Sequence, residues 1–322
     1  EVVPNSGCGS LLFEPQSTNL ITYSEDFSQW ILGSQNVSII PNNTISPSGI
    51  LNATKLIVGT SNNGIYQPFT SLASQYTGTM YIKTAIGTVD LKFGFFDGTN
   101  IDTDTITVTD TWTRFEVSKN LLASSSSRFW LYPATNGTKE VFIWGAMLEA
   151  QSYATSYIPT EGTTVTRNQD LCTNGGDVSL INSTEGVLYA EISALADDGS
   201  RYISISDGTS SNAIKIYYFL SGGFVFFQKL VNGVRTTNVT TSITKTDFNK
   251  IAIRYNSTEF SVFANGVNIL NNADTNVFAP NTLNTLQFTS ANGTSSPFFG
   301  KTKCLAVWKE ALSDTELTEL TT

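Results

Sequence analysis

"AIKIYYFLSGGFVFFQKLVNG" (residues 213–233) decides the fold, because apolar and polar side chains alternate along two short runs that glycines join. Side chains of a β-strand point to opposite faces in turn, so this period of two predicts a pair of antiparallel strands. One face of the first run carries Ile214, Ile216, Tyr218 and Leu220, and the other carries Lys215, Tyr217 and Phe219. Because both faces contain rings, we expect a second layer to cover one face. Rings on the other face would then meet solvent, a partner subunit or a ligand.

The same alternation recurs along the chain in runs such as "KEVFIWGAMLE" (139–149) and "EFSVFANGV" (259–267). Asn-Gly and Asp-Gly pairs between the runs, for example Asn232-Gly233 and Asn265-Gly266, tolerate the positive φ of tight hairpin turns. Amphipathic helices of about 10–15 residues, which would separate parallel strands, do not interrupt these runs. The sequence therefore predicts an all-β chain with two tandem antiparallel β-sandwiches.

One helix is predicted at the end of the chain, in "SDTELTEL" (313–320). Ser313 stands three residues before Glu316, which is the spacing of a capping box at a helix N-terminus. Leu312, Leu317 and Leu320 give the segment an apolar side. We expect a short helix that packs on the second sandwich.

The domain boundary is predicted within "GAMLEAQSYATSYIPTEGTTVTRNQD" (145–170), where the apolar alternation ends. Tyr153 and Tyr157 are expected to pack on the first domain, and Pro159 to stiffen the chain that leaves it. A length of 322 residues fits two domains. The predicted organisation is a lead-in segment (1–18), a first sandwich (19–165) and a second sandwich (166–322) in a semi-rigid arrangement.

Composition excludes several classes of partner. The net charge is −9, and basic residues do not cluster, so the chain lacks the positive surface that nucleic acid needs. Apolar runs stay well short of the roughly 18 residues that span a bilayer, so membrane insertion is not expected. The sequence begins with Glu1 rather than Met, which leads us to expect a processed protein or a piece of a longer one.

Cysteines and glycosylation motifs carry little functional signal. Three cysteines, Cys8, Cys172 and Cys304, are odd in number and far apart, so free thiols are expected and a Cys172–Cys304 bridge stays open. Eight Asn-x-Ser/Thr motifs are expected by chance in a chain so rich in Asn and Thr, at Asn36, Asn42, Asn52, Asn136, Asn182, Asn238, Asn256 and Asn292.

The absence of histidine restricts catalysis to carboxylates. It removes Ser-His-Asp and Cys-His nucleophile activation and the His-based zinc sites. A glycosidase would need a pair of carboxyl groups, for which Asp102 with Asp104, or Glu140 with Glu149, are the candidates. The simpler interpretation is that Asp102 and Asp104 protect an exposed strand, so an enzyme is not expected.

A calcium site is a further interpretation of the same acidic segment. Asp97, Asp102 and Asp104 in "DGTNIDTD" (97–104) offer carboxylate oxygens, which Ca²⁺ prefers as ligands. Their spacing is not that of an EF-hand loop.

Aromatic residues on strand faces remain as candidates for carbohydrate binding. Sugars stack their C–H faces on rings, and their hydroxyl groups pair with polar side chains. Trp30 and Trp144 lie in runs typical of a core. The candidate binding residues are Tyr66, Trp112, Trp130, Tyr217, Phe219 and Arg254.

Two segments carry a resemblance to a known family. "LLFEPQSTNLITYSEDFSQW" (11–30) and "VFIWGAMLEAQSYATSYIPTEGTTVTRNQD" (141–170) resemble a jelly-roll, carbohydrate-binding-like module of bacteriophage tail fibres and tail spikes. The second half is similar to concanavalin A-like, laminin-G-type domains in "EGVLYAEI" (185–192), "NKIAIRYNSTEFSVFANGV" (249–267) and "AVWKEALSDTELTELTT" (306–322).

The resemblance implies a jelly-roll followed by a concanavalin A-like domain in a phage virion protein. It implies adsorption to bacterial surface polysaccharide or another glycan, contact with other virion proteins, and a homotrimer. The chain would be made in the bacterial cytoplasm and act on the virion surface outside the cell. Two alternatives stay open: a purely structural virion module whose rings are subunit contacts, and a polysaccharide-degrading tail enzyme.

Overall fold

A computed structural model describes residues 9–33, 36–220 and 222–322. The first strands in chain order are β1 (Leu11–Phe13), β2 (Ser17–Asn19), β3 (Ile31–Leu32), β4 (Val37–Ile45), β5 (Leu51–Val58), β6 (Ile65–Ser71), β7 (Ser74–Thr84), β8 (Val89–Phe96), β9 (Ile101–Val108), β10 (Thr113–Leu121), β11 (Ser124–Pro133), β12 (Lys139–Glu149) and β13 (Val165–Arg167). A short 3₁₀ turn spans Phe27–Gln29.

The later strands are β14 (Gly186–Ala194), β15 (Arg201–Ser206), β16 (Ala213–Tyr218), β17 (Phe224–Val231), β18 (Val234–Ser242), β19 (Asn249–Tyr255), β20 (Glu259–Ala264), β21 (Val267–Ala273), β22 (Thr285–Gln287) and β23 (Gly300–Trp308), followed by helix α1 (Asp314–Thr321). All of the strand pairs are antiparallel, which confirms the all-β prediction. No helix of the described part of the chain is long and apolar enough to cross a membrane.

The first sandwich comprises Gln16–Asn168. Its two five-stranded sheets have the orders β10-β7-β12-β5-β4 and β3-β6-β11-β8-β9, and the chain passes repeatedly from one sheet to the other, as in a jelly roll. One apolar core lies between the sheets and includes Leu56, Ile82, Phe93, Phe129 and Ile143, each of them fully buried. The alternation of apolar residues in each strand supplies this core from one face only.

The second sandwich contains Gln169–Thr322 together with the described residues up to Pro15. A six-stranded sheet (β1-β23-β14-β19-β20-β21) faces a five-stranded sheet (β18-β17-β16-β15-β22). Helix α1 begins with the predicted capping box at Ser313 and Glu316. Its Leu317 packs on Tyr189 and Phe263, which point away from the main core of the sandwich.

Residues 1–18, which the sequence predicts to be a separate lead-in segment, are divided between the two sandwiches: the described residues up to Pro15 belong to the second, and those from Gln16 onward to the first. β1 instead pairs with the last strand, with Leu11 opposite Thr302 and Phe13 opposite Gly300. The Phe13 ring stacks on Phe288 with their centroids 4.5 Å apart. The sequence does not reveal this pairing because it is long-range. One edge of β23 is left unpaired by β14, and the three-residue strand β1 forms hydrogen bonds with it.

Most of the two segments that resemble the tail-fibre module, residues 16–30 and 141–168, lies in the first sandwich. β2 pairs with β13, so residues about 150 positions apart in the chain become neighbours. The buried Asn19 side chain donates to the carbonyl oxygens of Ala146 and Ile158 and accepts from the backbone N–H of Ile21 and Leu148. This one amide therefore ties the start of the sandwich to its end.

Glu149 is a second residue that joins the start of the first sandwich to its end. It is fully buried and accepts hydrogen bonds from Ser17 Oγ (2.5 Å), Gln151 Nε2 (2.8 Å), Thr155 N (3.0 Å) and Thr155 Oγ1 (2.5 Å). Burial raises the pKa of this carboxyl, and the hydrogen bonds from Ser17 and Thr155 oppose the rise. Tyr157, which the sequence predicts to pack on the first domain, lies against Trp144 of β12, with the ring centroids 4.8 Å apart.

The structure also bears on the predicted hairpin turns and free cysteines. Asn232-Gly233 and Asn265-Gly266 have positive φ at both residues, as tight hairpin turns require. Cys172 and Cys304 are free thiols, so the bridge that the sequence left open does not form. Cys8 lies outside the described residues.

Candidate functional site

Four rings form a continuous surface on the outer face of the five-stranded sheet of the second sandwich. We call Tyr202, Tyr217, Phe219 and Phe226 the aromatic strip. Tyr202 and Tyr217 are opposite each other in β15 and β16, and their rings stack with centroids 4.1 Å apart and planes 7° apart. The Phe226 ring lies 5.7 Å from Tyr217 and 5.5 Å from Phe219. The rings therefore support one another on a rigid sheet.

The strip follows from the alternation in the sequence. Ile214, Ile216 and Tyr218 point into the core and are almost completely buried, which leaves Tyr217 on the opposite face. Phe219 remains 38% exposed, and the neighbouring Phe224 remains 46% exposed. In the described part of the second sandwich, no second layer covers these two rings.

A line of polar residues runs beside the strip across all five strands. We call this line the polar row; its members, in register order, are Gln287, Ser204, Lys215, Gln228 and Asn238. Gln228 Nε2 donates to Asn238 Oδ1 at 3.0 Å. Ser204 Oγ donates to the Thr289 carbonyl at 3.0 Å, which fixes the loop after β22 at one end of the row. Rings and polar groups thus occupy adjacent rows of one sheet face; Ser204, Lys215, Gln228 and Gln287 are buried in the polar row, and Asn238 is exposed.

This arrangement has the two components that recognise a sugar. Aromatic faces carry negative charge density and attract the C–H groups of a pyranose ring, while amide groups hydrogen-bond to its hydroxyls. Both components stand on paired strands, so a ligand would not have to order them on binding. Tyr217 and Phe219 are predicted site residues that the structure brings together.

Sequence reasoning did not include Tyr202, Phe226 or Lys215 among the site residues. Tyr202 lies in "RYISIS" (201–206), and its alternation with Ile203 and Ile205 is the signal that places it on an outer face. The pairing of β15 with β16 then sets it against Tyr217, and strand pairing over this distance is not visible in a single sequence.

Tyr66 and Trp130 come together in the first sandwich. They are opposite each other in β6 and β11, with ring centroids 6.3 Å apart and an edge-to-face geometry. The Arg128 guanidinium lies over the Tyr66 ring at 4.7 Å and over the Phe96 ring at 5.1 Å. Trp130 is only 9% exposed, so it supports Tyr66 rather than offering a platform of its own.

Trp112 does not join that pair, because it precedes β10, in the opposite sheet. Its indole N–H donates to the Ile45 carbonyl at 3.1 Å, and the Lys83 ammonium lies 5.2 Å from its ring centroid. The ring is partly exposed, so Trp112 is a separate candidate on another face.

Arg254 has a structural role and does not face a ligand. It is 5% exposed, and its guanidinium forms ion pairs with Glu259 (2.9 Å) and Asp314 (2.7 Å). It also donates to the Leu312 carbonyl at 2.8 Å. The prediction of a sugar contact fails because helix α1 and the segment before it cover this side of β19, which the alternation of β19 alone does not reveal.

The acidic candidates are occupied by other contacts. Asp97 is 5% exposed and accepts from the backbone N–H of Thr99 and Asn100, and those contacts lower its pKa. Asp102 and Asp104 both form ion pairs with Lys119, at 3.3 Å and 2.7 Å. Within residues 9–33, 36–220 and 222–322, no three His, Cys, Asp or Glu side chains are grouped so as to hold a metal ion. The three aspartates therefore do not fit a calcium site.

The proposed pairs of catalytic carboxylates are also engaged. Glu140 forms an ion pair with Lys55 at 2.7 Å, and Glu149 is fully buried beneath its hydrogen-bond donors. Asp102 and Asp104 share one face of β9, as the alternation predicts, but Lys119 bridges them.

The first sandwich also has a groove of about 900 Å³. Tyr23, Glu25, Asp26, Asn42, Asn52 and Glu161 are among the residues that line it. Glu25 accepts from Asn52 Nδ2 at 2.8 Å and from the Tyr157 hydroxyl at 2.9 Å. Asn52 Oδ1 is buried without a hydrogen-bond partner. The groove is a second place where hydroxyl groups of a ligand would find polar partners.

Comparison with known proteins identifies the second sandwich. A family model described as the concanavalin A-like lectin/glucanases superfamily matches residues 188–318, and the second sandwich is a concanavalin A-like domain. No protein of curated function matches the chain in sequence.

Several solved structures are similar at low identity. The sialidase CBM40 of Ruminococcus gnavus, solved with α2,3-sialyllactose, is 16% identical over 47% of this chain and 94% of its own, with a TM-score of 0.36. A pentraxin from Limulus polyphemus is 14% identical over 47% and 74%, with a TM-score of 0.38. Domain 4 of the arabinanase AbnA from Geobacillus stearothermophilus, solved with arabinotriose, is 14% identical over 53% and 81%, with a TM-score of 0.36.

Proposed function

We propose that the chain is a non-catalytic glycan-binding protein whose second sandwich binds sugars on the aromatic strip. The observation that supports this function is the strip beside the polar row, because it places stacked, partly exposed rings next to the exposed amide of Asn238 on one sheet face. The match of this sandwich to a superfamily of lectins and glucanases agrees with a carbohydrate ligand.

The contacts of the candidate carboxylates favour a protein that binds glycans without hydrolysing them. Hydrolysis of a glycosidic bond needs one carboxyl as acid and a second as base or nucleophile, both open to the substrate. Asp102, Asp104 and Glu140 are held by lysines, and Glu149 is buried. A chain that released sugars from a polysaccharide, with the activity lost in Asp102→Asn or Asp104→Asn, would contradict this part.

The biological setting that we propose is adsorption of a bacteriophage to its host. It rests on the resemblance of residues 11–30 and 141–170 to the tail-fibre module. The chain would lie on the virion surface, contact other virion proteins and bind bacterial surface polysaccharide as a homotrimer. Several weak sites on one particle would then act together, because the second contact is made at high effective concentration.

Replacing Tyr217 by Ala tests the proposed site. Tyr217 contacts the other three rings of the strip, so its loss removes one platform and loosens the rest. We expect the affinity for a glycan that the wild-type chain binds on a glycan array to fall about tenfold, which corresponds to about 1.4 kcal/mol. Phe248→Ala is the matched control, because Phe248 is a partly exposed ring of the same sandwich outside the strip.

Two outcomes would contradict the proposed function. One is a wild-type chain that binds none of the bacterial polysaccharides on the array. The other is stable self-association that Tyr217→Ala abolishes, measured by light scattering. That result would favour the structural alternative, in which the exposed Phe219, Leu220 and Phe224 are subunit contacts.

A further inference from the structure

Lys215 is a buried cation without a counter-charge in the described part of the chain. It stands in the middle of the polar row and is only 7% exposed. Its neighbours across the sheet, Ser204 and Gln228, are neutral. The Tyr202 ring lies 5.9 Å from its ammonium. A charge that is desolvated without a partner is costly, so its place on the candidate face requires an explanation.

The other buried cations of the described residues are all paired. Each of them forms an ion pair with a carboxylate: Arg201 with Asp198, Lys229 with Asp274, Lys245 with Asp197, and Arg254 with Glu259 and Asp314. The second sandwich therefore neutralises its buried cations wherever they serve the fold. Lys215, which borders the aromatic strip, is the exception among these buried cations.

The surroundings of Lys215 add positive charge instead of neutralising it. Arg235 is exposed and lies opposite Leu230, one row away on the same sheet face. Burial, and then the charge of Arg235, lower the pKa of the Lys215 ammonium. Lys215 keeps 7% of its surface exposed, so its side chain is not completely closed off from solvent.

We propose that Lys215 and Arg235 form an anion subsite beside the aromatic strip, so that the preferred ligand is an acidic sugar. A carboxylate, sulfate or phosphate group on the sugar would supply the counter-charge that the sheet omits, while the sugar ring stacks on Tyr202 and Tyr217. This inference rests on the proposed function, because it names the ligand class of the same face. The bound anion would form an ion pair with the Lys215 ammonium.

The test compares binding of acidic and neutral glycans by the full chain. The probes are an array of oligosaccharides with and without acidic groups, together with polygalacturonic acid oligomers and their methyl esters, which differ only in the carboxylate charge. We expect wild type to prefer the acidic members, and Lys215→Met to weaken their binding tenfold or more. Lys309→Met, a change at an exposed lysine outside this face, should leave binding unchanged.

The outcomes separate the inference from the proposed function. Equal binding of acidic and neutral sugars, unchanged in Lys215→Met, would overturn the anion subsite and leave glycan binding intact. No binding to any member of the array would overturn both. A preference for acidic sugars that Lys215→Met abolishes supports both.

Thermal unfolding without ligand gives a readout that does not depend on choosing the right sugar. If the free protein holds an unpaired buried charge, Lys215→Met keeps the aliphatic stem and removes the cost, so its Tm should equal or exceed that of wild type. A Tm several degrees lower would show that Lys215 supports the fold, and would overturn the inference.

Discussion

Single buried polar residues hydrogen-bond to distant parts of the first sandwich and hold them together. Asn19 and Glu149 are both fully buried, and each binds segments that are far apart in the sequence. In a desolvated position each lost partner leaves a donor or acceptor unsatisfied, at a cost of about 1–3 kcal/mol. Such residues therefore fix one arrangement of the chain ends, which apolar contacts alone would leave less defined.

Glu149→Ala should lower the free energy of unfolding of the first sandwich by about 3 kcal/mol, because it leaves the donors of Ser17, Gln151 and Thr155 without an acceptor. The pKa of Glu149 is raised, so its stabilising contribution is fully present below the ordinary value of 4.5 and declines as the pH rises through the raised pKa. Urea unfolding should thus show a larger loss at pH 4 than at pH 8. Glu140→Ala, at an exposed ion pair, is the control, and an equal loss there would contradict the assignment.

Strands acquire their function from the rows that they form with their neighbours. The aromatic strip and the polar row each cross several strands. A register shift of one residue would turn the side chains of both rows towards the core. The hairpin at Asn232-Gly233 connects β17 to β18 and helps to fix this register. The short strand β1 shows the opposite case, because its place depends on an edge formed by the far end of the chain.

Phe13→Ala should destabilise the second sandwich alone. The ring stacks on Phe288 and packs against the core of that sandwich, so we expect a loss of about 2 kcal/mol in its unfolding transition. Leu11→Ala is the matched control on the same strand, because Leu11 is 65% exposed and should change stability little. If Phe13→Ala instead shifted the unfolding of the first sandwich, the pairing of β1 with β23 would be incorrect.

At the scale of the whole molecule, the chain has two compact units with separate cores, and the second is discontinuous in sequence. The first sandwich is closed by the pairing of β2 with β13, so its two chain ends lie side by side. A unit with its own core and adjacent ends should fold without the rest of the chain.

A fragment of residues 16–168 should therefore unfold cooperatively in urea, with the midpoint of the first sandwich in the full chain. A fragment of residues 19–165, cut at the boundaries that the sequence alone predicts, serves as the comparison. It lacks Ser17, which donates to Glu149, and most of the β2–β13 pairing, so we expect a lower midpoint. Equal midpoints for the two fragments would show that these contacts add nothing to the stability of the first sandwich.

Much of the fold was predictable because local patterns determine it. The period-2 alternation identified the strands and their inner faces, the Asn-Gly pairs identified two tight hairpins, and Ser313 with Glu316 identified the start of helix α1. The alternation also grouped Tyr217 and Phe219 on one face of their strand, and the structure shows that this is the outer face. These features depend on residues close together in the chain, so the sequence by itself determined them.

Tertiary structure alone decided the rest, because it depends on which distant segments meet. The sequence could not show that Tyr202 stacks on Tyr217, that helix α1 and the chain before it bury Arg254, or that β1 belongs to the second sandwich. Nor could it show that Lys215 is buried without the carboxylate that every other buried cation of the described residues has. Burial and charge pairing are properties of the packed sheets, and the physical basis of the proposed ligand lies in them.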